Sequence, residues 1–428
     1  MRNAILCIAI LATTCLTTLH AQDISGDWQG TLIRGDKHLR AILHLEKAAD
    51  GSWSARFYSI NQGPDTAIPV NAATLHGSTL KLTLDWVGGS YEGKVDADGV
   101  SITGTWTHGD SLPLNFRRAT KATAWQRDPS LHTVQFITVE AGVRLEVLDW
   151  GGSGRPVILL AGLGNTAHVF DDFAPKLVPA HHVYGITRRG FGESGVPASG
   201  YTADRLGDDV LAVIDALRLD RPVLAGHSIA GEELSSVGSR HPEKIAGLIY
   251  LDAAYGYAYY DQAPGDFQID KVDLQRSLEG FQRGSIRSQI QALEQIQQSL
   301  SQFEKDIQKA LRSLRAQPAQ PESALPPPEV PPPVRAILSG EQKYTGIRVP
   351  ILAIYALPHA EPGLDNDPAA RAAADAIDLE TTGAQARAFE AGEPSARVVG
   401  LAHASHFVFQ SNEADVLREI NAFINGLR

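Results

Sequence analysis

The run "VLAGHSIAGEE" (223–233) carries an apolar stretch straight into glycine, histidine, serine and a series of small residues. A serine hydroxyl is a weak nucleophile at neutral pH and needs a base beside it. Histidine suits that task, because its pKa lies near working pH. The hydroxyl must also be lifted clear of its surroundings. A sharp turn from strand to helix does this, but it crowds the positions two before and two after the nucleophile, which must be small. Gly226 and Ala230 hold those positions around Ser228, and Gly231 follows. Ala230 stands where G-x-S-x-G has its second glycine, a mild departure. A serine capping a helix would explain the hydroxyl but not the small residues on both sides.

Other motifs argue for what the chain does not do. "GGSGRP" precedes an apolar run instead of following one, and "GLGNT" lacks the G-x-G-x-x-G spacing, so a dinucleotide site is not expected. The histidines show no H-E-x-x-H or paired metal-ligand spacing, so neither a metal nor another cofactor is predicted. The formal net charge of -11 argues against nucleic acid or an anionic membrane as the main partner.

The elements needed to position Ser228 follow from periodicity. Residues 134–428 alternate strand-like and helix-like runs. "VILLAG" (157–162), "HHVYGI", "PVLAGHS", "GLIYLDAAY", "VPILAIY" and "ARVVGLAH" read as buried strands. "RLGDDVLAVIDAL" and "EADVLREINAFINGL" each place apolar residues on one helical face. The pattern predicts an α/β fold with a mostly parallel sheet covered on both faces. Residues 256 to about 345 break the rhythm. "SIRSQIQALEQIQQSLSQFEKDIQKALRSL" spaces Ile286, Ile290, Leu293, Ile296, Leu300, Phe303, Ile307, Leu311 and Leu314 as a long amphipathic helix, and "QPAQPESALPPPEVPPP" stops it. This block reads as a helical cap inserted between two strands. Its long helix could also mediate self-association.

Residues 22–120 look all-β. "TLKLTLDW" alternates Leu80, Leu82, Leu84 and Trp86 with polar partners, and Asp50-Gly51 and Asp98-Gly99 are tight-turn dipeptides. A small barrel or sandwich is expected. With its Gly-X-Trp repeats ("SGDWQG", "TGTWTH") it resembles the calycin-like β-domains attached to some secreted hydrolases. Residues 117–130 read as a linker ending in Asp128-Pro129, with 121–133 joining the two domains. At the start, Arg2 and "AILCIAILATTCL" read as a signal peptide over residues 1–21, with a cut after Ala21. Both cysteines, Cys7 and Cys15, lie inside it. A periplasmic or secreted protein without disulfides is therefore expected.

With "GHSIAG", "LLAGLGNT", "RRGFGES" and "HASHFVF" in this order, residues 134–428 resemble the α/β-hydrolase family, of the lidded kind. The resemblance implies a serine hydrolase acting on a carboxylic ester or related acyl substrate. Ser228 would attack, His406 would be the base with His403 as its rival, and His227 would be structural. The family acid usually follows the strand read here as "ILAIY", where the sequence continues "ALPHAEPGLDND". His359 and Ala360 fill that slot and neither is acidic. Asp252, at the end of the preceding strand, is therefore the first choice of acid and Glu361 the alternative, with Asp365 and Asp367 further on. The N–H groups of Ile229 and Leu163 would form the oxyanion hole. Tyr255 and Tyr257 would line an acyl or alcohol pocket, or else seat the cap. A different reading of the same residues is a ligand-binding protein on a catalytically silent hydrolase-like scaffold.

Overall fold

The computed structural model describes residues 23–427 except 35–36, 49, 61–62, 109, 126–130, 264, 317–329, 361–363 and 365–366. The proposed signal segment, Glu361, Asp365 and most of the proline run lie outside the described residues.

Ten antiparallel strands build the first unit: β1 (Gly26–Arg34), β2 (Lys37–Lys47), β3 (Trp53–Ser59), β4 (Gly63–Pro69), β5 (Ala72–His76), β6 (Thr79–Leu84), β7 (Gly89–Val95), β8 (Ser101–His108), β9 (Asp110–Pro113) and β10 (Phe116–Arg118). β10 pairs with both β1 and β8, which closes eight of them into a barrel, with β4 and β9 as side branches. Period-2 patterning drives it. In β6, Leu80, Leu82 and Leu84 are buried while Lys81 and Thr83 face outward. Burying each such leucine contributes roughly 2 kcal/mol. Gly51 and Gly99 adopt φ of +85° and +67° in their Asp-Gly turns. The start of the expected linker is not free chain. Arg117 and Arg118 belong to the closing strand, and the Trp125 N–H donates to Gln29 Oε1 at 3.0 Å. The pattern there is too short to show a strand, because β10 is only three residues long.

A separate eight-stranded sheet follows: β11 (Thr133–Glu140), β12 (Val143–Gly151), β13 (Pro156–Leu160), β14 (His182–Ile186), β15 (Val223–His227), β16 (Gly247–Leu251), β17 (Ile351–Ala356) and β18 (Ala396–Leu401), in the order β11-β12-β14-β13-β15-β16-β17-β18. β12 is antiparallel to both its neighbours, and β13 to β18 run parallel. β15, β16 and β17 are buried along their whole length, as strands covered on both faces must be. One face carries α1 (Ala203–Leu217) and α2 (Ala230–Arg240), whose Val210, Val213 and Leu234 pack on Leu224 and Leu248. The other carries α7 (Val408–Ser411) and α8 (Glu413–Gly426), through Phe409, Val416 and Ile420. All strand C-termini from β13 onward open on one edge, where a parallel sheet of this kind holds its ligands.

Between β16 and β17 the described residues form helices only: α3 (Phe267–Arg283), α4 (Ile286–Ala316) and α5 (Pro332–Leu338). α4 matches the predicted amphipathic helix and packs on α3, with Phe303 stacked on Phe267 at 5.7 Å. Its apolar stripe is only partly used. Ile296, Phe303, Ile307 and Leu311 are half-buried, whereas Ile286, Ile290, Leu293, Leu300 and Leu314 are exposed. α6 (Pro368–Gly392) has no counterpart in the sequence reading. It is alanine-rich and only weakly amphipathic, so no apolar period marks it.

Candidate active site

Ser228 occupies the bend between β15 and α2 with φ of +55°, a region that L-residues other than glycine rarely enter. The small neighbours are required. A Cβ on Gly226 would lie 3.0 Å from the Ala230 Cβ and 3.1 Å from Leu234. The loop after β13 packs directly on this bend, since a Cβ on Gly162 would meet His227 Nδ1 at 2.8 Å and the Ser228 Cβ at 3.1 Å. Leu163 and Ile229 therefore flank the serine, and among the described residues neither N–H has a backbone partner. Arg188 fixes this loop. It donates to Ala161 O at 2.8 Å and pairs with the buried Glu233 of α2, which ties the "RRGFGES" loop to both sides of the site. Gly162→Ala is expected to lower ester kcat/KM about tenfold or more by displacing the Leu163 donor, with little change in the circular dichroism spectrum.

Asp252 ends β16, also at positive φ (+48°), and is fully buried. Its Oδ2 accepts from His406 Nδ1 at 2.6 Å. His406 comes from the loop between β18 and α7. Of the acids weighed from sequence that lie among the described residues, Asp252 is beside His406, whereas Asp367 caps α6. His403, the rival base, is half-exposed and 3.9 Å from Asp375. His227 Nε2 lies 2.9 Å from the His406 carbonyl oxygen, and its ring packs on His406 at 4.6 Å between centroids. The structure does not join Ser228 and His406 by a hydrogen bond. The imidazole is 42 % exposed and is held at its Nδ1 edge by Asp252.

His359 was missed as a functional residue. It fills the slot after β17 where an acid was looked for. Its Nε2 lies 2.9 Å from Asp252 Oδ2, and its Nδ1 lies 2.9 Å from Asp378 Oδ2 of α6. The signal was the histidine itself, in an acid's place. Tyr255 donates to Asp252 Oδ1 at 2.9 Å, as does the Ala356 N–H at 3.0 Å. Tyr255 therefore braces Asp252. Tyr257 lies beside Ser228 and within the field of Glu232 and Glu341; burial pushes its phenol well up, and the Ser228 hydroxyl opposes that only in part. Tyr259 packs on Phe389 of α6, and Tyr260 bonds Asp270 of α3, so these two seat the helices. Asp252, His359 and His406 each offer one ligand atom within 4.8 Å of the others.

Burial would raise the Asp252 carboxyl, but the hydrogen bonds and charges of His359 and His406 outweigh it and hold it down at about 2. Burial would lower His359, but Asp252 and Asp378 carry it up to about 9. The Asp252 contribution to stability is complete above pH 3.8 and fades as pH falls toward 2. The His359 contribution is complete below pH 6.5 and fades as pH rises toward 9. The difference in unfolding free energy between wild type and His359→Gln is therefore expected to shrink between pH 6.5 and 9. Urea titrations should show a change on the order of 1–2 kcal/mol after solvent screening.

Residues 155–326 match the family model described as the α/β hydrolase fold. An AB hydrolase superfamily protein, YisY, of Bacillus subtilis is 31 % identical over 147 residues, covering 34 % of this chain and 54 % of that one. Mouse epoxide hydrolase 4 is 30 % identical over 159 residues, covering 34 % and 43 %. The chain thus spans about half the length of these curated relatives. An esterase structure from Thermogutta terrifontis aligns over 68 % of this chain and 98 % of its own, at 18 % identity and a TM-score of 0.44.

Proposed function

From a chain that belongs to the α/β-hydrolase family, we propose a serine hydrolase that cleaves a carboxylic ester or related acyl substrate through an acyl-enzyme. The observation that carries this reading is the fully buried Asp252 at 2.6 Å from His406 Nδ1, on the same sheet edge as the strained Ser228. Ser228 Oγ attacks the carbonyl carbon, and His406 Nε2 takes its proton. The oxyanion is held by the Ile229 and Leu163 N–H groups. His406 returns the proton to the leaving alcohol, water enters, and the same steps in reverse order release the acid. Asp252 keeps the proton of the resting imidazole on Nδ1 and stabilises the imidazolium. A nucleophilic aspartate of the epoxide-opening kind is disfavoured, because position 228 is serine.

The test is a panel of chromogenic esters of graded acyl length, with mass spectrometry after treatment with an organophosphonate. Turnover together with a mass increment on the peptide holding Ser228 is expected. Neither turnover nor label would favour the binding-protein reading. The barrel gives that reading some support through an apolar cavity of about 220 Å³ beside Phe57 and Trp106. We also propose that residues 1–21 direct export to the periplasm or medium. A mature N-terminus at Gln22 on exported protein would support this, and an intact Met1 would count against it.

A further inference from the structure

A second cluster of ionisable side chains shares no residue with the site around Ser228. His132 precedes β11, Glu146 lies in β12, and His168 and Asp171 sit in the turn that follows β13. Their side chains are 0, 3, 3 and 10 % exposed, respectively. Asp171 bridges the two imidazoles, with Oδ1 3.2 Å from His132 Nδ1 and Oδ2 3.1 Å from His168 Nδ1. The opposite nitrogen of His168, Nε2, lies 3.6 Å from Glu146 Oε1. Glu146 is itself fixed by the Thr187 hydroxyl, which donates to Oε2 at 2.5 Å. One ligand atom from each of His132, His168 and Asp171 falls within 4.8 Å of the other two.

We propose that His132, His168 and Asp171 bind a divalent transition metal, Zn²⁺ by preference, with Glu146 orienting His168 from behind. Two imidazole nitrogens and a carboxylate oxygen form a borderline donor set suited to zinc. Each imidazole nitrogen faces its own Asp171 oxygen, at 3.2 and 3.1 Å, close to the roughly 3.4 Å between neighbouring donors of a tetrahedral zinc, so the carboxylate would take the ion through either oxygen. A histidine ligand usually gives its other N–H to a carboxylate, which is the place Glu146 holds. Charge points the same way. Glu146 and Asp171 together carry two negative charges in a buried setting, and a divalent ion with two neutral imidazoles balances both. His132 directly follows the segment between the barrel and the second sheet, so the ion would fasten that segment onto β12 and the turn after β13. The ligands come from separate elements, and only His168 and Asp171 are near in sequence, so motif spacing does not reveal the set.

The experiment uses the full chain stripped with a chelator and titrated calorimetrically with ZnCl₂, with MgCl₂ as comparison. One Zn²⁺ per chain and a raised thermal midpoint are expected for wild type, with Mg²⁺ much weaker. His168→Gln and Asp171→Asn should each weaken zinc binding by 100-fold or more, and Glu146→Gln by about 10- to 100-fold. His132→Gln, at the edge of the cluster, gives a further reading if either central variant fails to fold. His359→Gln should bind zinc like wild type. The proposal is overturned if wild type takes up no zinc at micromolar concentration, since a protonated His168 then suffices. It is equally overturned if binding survives the His168, Asp171 and His132 changes, or is lost in His359→Gln, which would place the ion at Asp252 and His406.

Discussion

Ser228→Ala is expected to reduce ester turnover by about 10⁴-fold or more, with no loss of folded structure. Alanine keeps the Cβ that already sits between Gly162 and the start of α2, so the bend at φ of +55° is neither relieved nor worsened. Only Oγ leaves. Without it no acyl-enzyme forms, and what remains is whatever the Ile229 and Leu163 N–H groups and substrate binding give to direct attack by water. Steady-state rates on a short-chain ester, read beside near-ultraviolet circular dichroism, check this. A variant retaining a tenth of the wild-type rate would exclude Ser228 as nucleophile. The same comparison bears on His406. An imidazole anchored at Nδ1 by Asp252 keeps Nε2 as the nitrogen that would take the serine proton. Catalytic hydrogen bonds are often long before substrate binds.

The bend at Ser228 is readable because its constraint is local. Gly226 and Ala230 are small for a reason that operates within five residues, and a five-residue window displays it. The buried strands were readable for a similar reason: β15, β16 and β17 are continuous apolar runs. The acid was harder. What marks Asp252 is the return of the chain through β17 and β18, which brings His359 and His406 to one of its carboxylate oxygens from more than a hundred residues away. No window contains that. The slot after β17 made a histidine look like a missing acid, whereas His359 works as a cation between Asp252 and Asp378. Periodicity also overstated burial on α4: a stripe of isoleucine and leucine forms the helix, but α3 covers only part of it. The hairpin of β11 and β12 went unread because β11 alternates weakly and Phe136 and Val134 remain exposed on it.

Asp252→Asn carries the second large effect, and it acts through a tautomer. Oδ1 accepts from the Ala356 N–H and the Tyr255 hydroxyl, while Oδ2 faces both His406 Nδ1 and His359 Nε2. The backbone donor fixes the asparagine carbonyl on the Oδ1 side, so the amide NH₂ must point at the two imidazoles. Facing a donor, His406 Nδ1 has to accept, which moves the ring proton to Nε2. An Nε2 that already carries a proton cannot take one from Ser228. Turnover at neutral pH is therefore expected to fall by about 10³- to 10⁴-fold. The protein should remain folded, because asparagine fills the same volume and keeps the bonds at Oδ1. His359→Gln provides the contrast: it removes a cation beside Asp252 yet leaves that carboxylate on His406 Nδ1, so its rate loss should be far smaller. Equal losses in the two variants would mean that the array acts only by holding the loops together, and a near-normal rate for Asp252→Asn would take the aspartate out of the reaction altogether.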